Sequence, residues 1–335
     1  MKKIELTAFG LEGLRVAEAD VPQPGAGEVL VKVEALSLNY LDVLVIEGHY
    51  NAGLPLPHTP GSDAAGTVVE VGTSVRGLRV GDRVVTQFIR DWTDGELTLE
   101  TRATKLGAEV AGVFAEYLVL PAHAVVPVPR TLSTTQAATL PVAALVAWTA
   151  LVEQGQLRAG QTVLIQGTGG VSLFALQFAR AAGARTIVTH GAQVNPAALR
   201  QLGADYLIDF TRVAAWDAEV RRLTDGRGVD AVLEIGGKAT FNQSLAALRL
   251  GGYVGVVGFV TGPELETNVF NLIQARARVQ GNDVGSRASF ERMNHAIEVA
   301  GLQPVIDRSF PFVELPAALR HLKAGGHFGK IVVTL

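Results

Sequence analysis

An apolar run, Val163-Leu164-Ile165, leads into Gln166-Gly167-Thr168-Gly169-Gly170-Val171-Ser172, and behind that turn Val171, Phe174, Ala175 and Phe178 recur at helical spacing. A strand, a Gly-x-Gly-x-x-small turn and an amphipathic helix in that order constrain the fold strongly. The first glycine permits the tight turn and the second allows close backbone approach. Ser172 stands where a third glycine would, and is small enough for the helix to pack on the strand. The helix then offers amide donors and the positive end of its dipole, which together suit a pyrophosphate. Gly167, Thr168, Gly169, Gly170 and Val171 are therefore the expected dinucleotide-binding residues.

Strand and helix continue to alternate after this turn. Ile187-Val188, Tyr206-Leu207-Ile208, Val229-Asp230-Ala231-Val232-Leu233 and Tyr253-Val254-Gly255-Val256-Val257 read as buried strands, with helical stretches at 196–202 and 241–248, so a doubly wound parallel sheet is expected. A carboxylate at the end of its second strand would bind ribose hydroxyls and repel a 2′-phosphate. Here that strand ends Thr189-His190-Gly191, with no acid, which favours NADP(H) over NAD(H). Thr189, His190 and Gly191 are expected to host the phosphate, His190 contributing donors. The alternative is a solvated His190 stacking on adenine.

The first 130 residues have a different rhythm. In Gly27-Glu28-Val29-Leu30-Val31-Lys32-Val33-Glu34 the valines share one face and Lys32 and Glu34 the other, as in a half-buried strand. Gly66-Thr67-Val68-Val69-Glu70-Val71-Gly72 and Gly81-Asp82-Arg83-Val84-Val85 repeat the pattern between glycines, so this region is expected to be mainly antiparallel β. After Val279 come a helix at 288–300, a segment at 304–312, a helix at 315–324 and a closing strand at 330–334, a tail best placed by returning to the first domain. The expected division is 1–130 with 287–335 as a catalytic domain and 131–286 as a Rossmann dinucleotide-binding domain.

Composition narrows the function classes. A chain of 335 residues that is 48% hydrophobic and 18% charged has enough apolar content for two cores. Its net charge of −3 and lack of a basic cluster argue against nucleic-acid and membrane partners. No stretch reaches the roughly 20 uncharged apolar residues of a membrane span, and Glu5 and Glu12 interrupt any secretion signal. The absence of cysteine fits a cytoplasmic setting.

Over nearly its whole length the sequence resembles the medium-chain dehydrogenase/reductase superfamily. The resemblance rests on Gly27 to Val33, Pro60-Gly61-Ser62-Asp63, Gly66 to Gly72, Gly81-Asp82-Arg83-Val84, the glycine turn, and Thr224-Asp225-Gly226-Arg227-Gly228-Val229-Asp230-Ala231-Val232-Leu233-Glu234 to Gly237. It implies a catalytic domain containing a distorted barrel, interrupted by a Rossmann domain. It also implies that Gly258, Phe259 and Asn282 flank the nicotinamide, that Gly329-Lys330 approaches the phosphates, and that Rossmann domains pair through an edge strand. That strand is expected at 276–281, giving a homodimer.

Zinc-dependent members of the superfamily use Cys, His-Glu and a later Cys or acid; the matching positions here are Asn39, Ser62-Asp63 and Val142, without thiolate or imidazole. The lobe matching their structural zinc site, 88–114, has no cysteine. Zinc-free members, which include quinone oxidoreductases, instead show Asn, Asp three residues on and Gly-x-Tyr, matched by Asn39, Asp42 and Gly48-His49-Tyr50. Hydride transfer to a quinone or conjugated carbonyl, a small-molecule substrate, is thus expected without a metal. Tyr50 would donate a proton or hydrogen bond, Asn39 would polarise the developing oxyanion, and Asp42 would orient Asn39 or relay protons. In a second reading Asn39 and Asp42 cap a helix near Leu41 and Tyr50 is a rim aromatic. An NAD(P)-dependent alcohol or aldehyde dehydrogenase, and a cofactor-binding protein without catalysis, are the alternatives.

Overall fold

The computed structural model describes Met1–Leu335, and the chain divides into one unit made of Met1–Leu145 with Val284–Leu335 and a second made of Val146–Asp283. The first break falls later than the expected 130/131. The helix Thr134–Ala137 and the π-helical turn Leu140–Ala144 follow the proline-rich passage near 130 but pack on the antiparallel strands. The second break moves only from 286/287 to 283/284.

In chain order the first unit has Lys2–Leu6 (β1), Leu14–Glu18 (β2), Glu28–Ser37 (β3), Asp63–Val71 (β4), Arg83–Thr86 (β5), Tyr117–Pro121 (β6) and Val125–Pro127 (β7). The second has Thr162–Gln166 (β8), Arg185–His190 (β9), Tyr206–Asp209 (β10), Val229–Glu234 (β11), Leu248–Val256 (β12) and Arg278–Gly281 (β13). The chain then returns to the first unit with Ile306–Pro311 (β14) and Lys330–Thr334 (β15).

The first unit is built around β3. β4 takes one edge of this strand, while the other is shared: residues 28–32 pair with β6 and residues 35–37 with β15, all antiparallel. The sheet runs β14-β15-β3-β4-β5-β7 with β6 branching from β3, and only β14 and β15 are parallel to each other. Lys32 points outward as expected, whereas Leu30 and Leu36 are buried along with Val29, Val31 and Val33, so β3 is covered more fully than simple alternation implies. Its core joins Leu6, Leu36, Ile46, Val68, Phe114, Leu319 and Val333.

The second unit is a six-stranded sheet in the order β10-β9-β8-β11-β12-β13, with every pairing parallel. Central strands buried on both faces need continuous apolar runs, and Val163, Leu164, Ile165, Ile187, Val232 and Val254 are all sealed from solvent. The strand order reverses between β8 and β11, the topological switch point at which open sheets of this kind bind ligands. β13 closes one edge, and its four residues are exposed. No helix is long and apolar enough to cross a membrane.

Candidate functional site

Each unit carries one polar constellation. In the second unit, the carboxyl ends of the parallel strands gather most of the expected cofactor residues. β8 runs into Gly167, whose φ of 75° lies where glycine is favoured, and the Gly167 amide donates to the Thr189 carbonyl at 2.9 Å. This ties the turn to the end of β9. The helix Gly170–Ala181 follows with Gly169 as its N-cap, no capping side chain and no acid in its first turn, so its leading amides remain for an anion. Ser172 donates its hydroxyl to the Gln166 carbonyl at 2.7 Å, fastening the helix to the strand it follows.

At the end of β9, Thr189 and His190 are buried, and His190 Nδ1 lies 2.9 Å from the Gly191 carbonyl. A carbonyl only accepts, so Nδ1 carries the hydrogen. Nε2 can then donate to a phosphate only when the ring is protonated. Gly258 follows β12, where a Cβ would meet the Ile235 carbonyl oxygen at 2.6 Å, and Phe259 beside it is exposed. Asn282 follows β13 and donates its side-chain amide to the Gln280 carbonyl at 2.8 Å and to the Tyr253 hydroxyl at 3.3 Å.

Sequence reasoning missed a buried network at the switch point. Glu234, fully buried at the end of β11, accepts hydrogen bonds from Gln166 Nε2 at 2.7 Å, the Gly237 amide at 2.8 Å, and the Thr240 and Ser244 hydroxyls. Gln166 in turn accepts the Ile235 and Gly236 amides, at 3.0 and 3.1 Å. The pair therefore holds the glycine turn and the loop after β11 in one register. Glu234 directly follows the expected strand Val229 to Leu233, but no local pattern shows that its neighbour across the sheet is Gln166.

In the first unit, Asn39 is the N-cap of the helix Tyr40–Ile46, and its own backbone amide donates to Asp42 Oδ2 at 2.7 Å. The helix-capping alternative is thus realised, but within a larger cluster. Ser37 pairs with Asp63 across β3 and β4, and the Leu38 amide donates to the Ile331 carbonyl at 3.0 Å, which draws the start of β15 alongside. Lys330 Nζ donates to the Leu38 carbonyl at 2.7 Å, to Asn39 Oδ1 at 2.6 Å and to Asp63 Oδ2 at 3.5 Å. Asn39 Nδ2 donates to Ser62 Oγ, and Ser62 Oγ donates to Asp42 Oδ1, both at 2.9 Å.

All five side chains are buried. An ammonium can only donate, so Lys330 fixes which end of the Asn39 amide faces it, and the direction of every later bond follows. Lys330 thus sits among carboxylates, not exposed to a phosphate as the resemblance implied. Its three ammonium hydrogens match its three acceptors. Burial pushes the Asp42 carboxyl up to about 7 and that of Asp63 up to about 6, the latter opposed by Lys330, while burial draws the Lys330 ammonium down. Asp42 therefore exchanges its proton near neutrality, well above the usual carboxylate range. No group of three His, Asp or Glu side chains is placed to hold a metal ion.

Tyr50 stands apart from this cluster, partly buried against Val45, Leu54 and Ala108, with its hydroxyl 3.3 Å from Lys105 Nζ. Trp92 folds its indole onto its own loop, donating to the Gly95 carbonyl at 3.0 Å.

Comparison with known proteins places these constellations in a group. The profile described as "Zinc-binding dehydrogenase" matches residues 170–299 and that described as "Alcohol dehydrogenase GroES-like domain" matches residues 25–130. A zinc-type alcohol dehydrogenase-like protein of Schizosaccharomyces pombe is 40% identical over 333 residues, 97% of this chain and 96% of its own. The quinone oxidoreductase of Pongo abelii is 28% identical over 345 residues, covering 100% and 98%. A crystal structure of an NAD-dependent alcohol dehydrogenase superposes with a TM-score of 0.92 at 33% identity, covering 100% of both chains.

Proposed function

The chain belongs to the medium-chain dehydrogenase/reductase superfamily and is an NAD(P)-dependent oxidoreductase, and from this we propose that it transfers hydride to a quinone or a conjugated carbonyl without zinc. The observation that carries the reading is the Lys330 cluster. Where zinc-dependent members place Cys, His and Cys, this chain has Asn39, Ser62 and Val142, an amide, a hydroxyl and an isopropyl group. These do not fit a zinc ion, which takes thiolate, imidazole or carboxylate. The amide is also already bonded to an ammonium.

Oxidising an unactivated alcohol requires stabilisation of an alkoxide, commonly by a Lewis acid, whereas reducing an enone requires only hydride and a proton at the resulting enolate. Bound nicotinamide supplies the hydride. Tyr50 supplies the proton from its hydroxyl, and Asn39 keeps one Nδ2 hydrogen beyond the one given to Ser62, available to a developing oxyanion. Asp42 orients Asn39 through its backbone amide and through Ser62. The uncapped helix after Gly169 and the left-handed Gly167 suit the pyrophosphate, and the ribose end of β9, without an acid, supports NADP(H) over NAD(H), with His190 beside the 2′-phosphate. Freedom from cysteine suits a reducing cytoplasm.

Chelator-washed enzyme is expected to oxidise NADPH with a quinone or an enone at an undiminished rate, with substoichiometric zinc by elemental analysis. Alcohol oxidation that disappears on chelation would overturn the reading. Names among the relatives favour alcohol chemistry as the second reading, and metal-independent alcohol turnover without enone turnover would select it.

The exposed edge strand β13, with unpaired backbone groups and Val279 outward, supports pairing of two copies. Sedimentation at micromolar concentration is expected to give twice the 35.3 kDa chain mass; a monomer would exclude it.

A further inference from the structure

We propose that Lys105 is the positioning residue of the proton donor: its buried ammonium takes a lone pair of the Tyr50 oxygen, leaves the phenolic hydrogen for the substrate, and holds the charge that remains when that hydrogen departs. The inference rests on Tyr50 being the donor, as above, and adds a residue to it.

Tyr50 is set by local backbone geometry. The helix Tyr40–Ile46 ends with the His49 and Tyr50 amides both donating to the Leu44 carbonyl, at 2.8 and 3.1 Å, and the ring settles on Val45, Leu54 and Ala108. Lys105 arrives from the 88–114 lobe, where it bridges to Ile89 and its carbonyl accepts the Glu109 and Val110 amides at 3.0 and 3.1 Å. Its backbone is therefore fixed by a turn of its own. The side chain is 4% exposed, with Nζ 3.3 Å from the Tyr50 hydroxyl, 5.9 Å from the Tyr50 ring centre and 6.0 Å from that of Phe88.

Burying an ammonium is costly, and a purely structural position at this depth is more economically filled by an apolar side chain. Direction is the second point. An ammonium has no lone pair, so the phenol must accept from it, and the phenol's one hydrogen is turned elsewhere.

The chemical consequence can be followed atom by atom. Hydride adds to the β-carbon of an enone and an enolate forms. The Tyr50 O–H bond breaks, its proton bonds to the enolate oxygen, and the electron pair stays on the tyrosine oxygen, where Lys105 faces it. Water returns the proton after the product leaves. A positive charge in contact with that oxygen stabilises the phenolate without itself giving up a proton.

The test compares wild type with Lys105→Met, Lys105→Arg, Tyr50→Phe and the Lys105→Met/Tyr50→Phe double variant, on whichever of quinone, enone or alcohol the wild type turns over. Lys105→Met is expected to lose roughly 10- to 100-fold in kcat with KM little changed. It should also show an increased solvent deuterium isotope effect, as proton transfer becomes limiting. Lys105→Arg should recover most of the rate, and the double variant should match Tyr50→Phe. An additive double variant, or an isotope effect unmoved by Lys105→Met, would overturn the proposal while leaving the redox reading intact. If the wild type turns over none of the three substrates, the functional reading falls. The contact is then judged by the fluorine resonance of 3-fluorotyrosine at position 50, assigned with Tyr50→Phe. Lys105→Met must move that resonance, and an unmoved signal ends the proposal.

Discussion

Replacing Lys330 with methionine is expected to cost about 3–5 kcal/mol of stability, the usual penalty when one partner of a buried ion pair is removed and the other is left uncompensated. Methionine fills much of the volume, so the loss reports charge and hydrogen bonding more than packing. Three acceptors lose their donor at once: the Leu38 carbonyl, Asn39 Oδ1 and Asp63 Oδ2. The deficit should also depend on pH.

Asp42 and Asp63 have folded-state values raised above the ordinary 3.8, so the folded chain holds protons that the unfolded chain releases. For a raised carboxyl, stability is greatest below about pH 4 and falls as pH climbs to about 6 and 7. Lys330 lowers both values, so removing it steepens that fall. Denaturant unfolding at pH 5 and pH 8 is expected to show the larger deficit at pH 8. The Lys330→Met/Asp63→Asn variant should regain part of the stability and flatten the pH dependence. A Lys330→Met protein with equal deficits at the two pH values would contradict the assignment of these buried charges.

The second large effect is expected at Glu234. Its carboxylate satisfies Gln166, Gly237, Thr240 and Ser244, of which all but the half-buried Thr240 are without solvent to replace it. Glu234→Ala leaves four donors seeking partners, and a buried donor left unpaired costs about 1–3 kcal/mol. Partial rearrangement brings the expected total to about 3–5 kcal/mol, less than half of the simple sum at its upper end. The effect should reach the cofactor, because Gln166 and Glu234 together lock the turn at Gly167 to the loop at Gly236. Fluorescence titration with NADPH is expected to show Kd raised at least about tenfold, equivalent to about 1.4 kcal/mol. Glu234→Gln, which keeps one acceptor oxygen, should fall between the two. Unchanged affinity in Glu234→Ala would show that the network only supports the fold.

What was legible in the sequence divides along a physical line. The glycine turn and the strands behind it announced themselves because turn chemistry and continuous apolar runs are local properties, whereas the edge strand near 278, with two arginines and a glutamine, was placed by the family resemblance. The helix at 315–324 and the closing strand were equally plain. The site in the first unit was legible only in its Asn39, Asp42 and Tyr50 members. Lys330 and Lys105 carry the group most strongly hydrated in water, so local patterning reads both as surface residues. Their burial depends on partners 291 and 55 positions away in the chain. The domain break at 145 was obscured for a related reason: the composition changes at the prolines near 130, while the packing changes one helical segment later.

The placement of β15 between β14 and β3 has a consequence for synthesis. The second unit is one uninterrupted stretch and can finish folding while the polypeptide is still being made, as contiguous domains generally do. The first cannot, because the strand beside β3 and the lysine that neutralises Asp63 lie beyond the whole second unit in the chain. Until then its nascent sheet has an open edge and two acids without their counter-ion, and that interval is when a chaperone has most to protect.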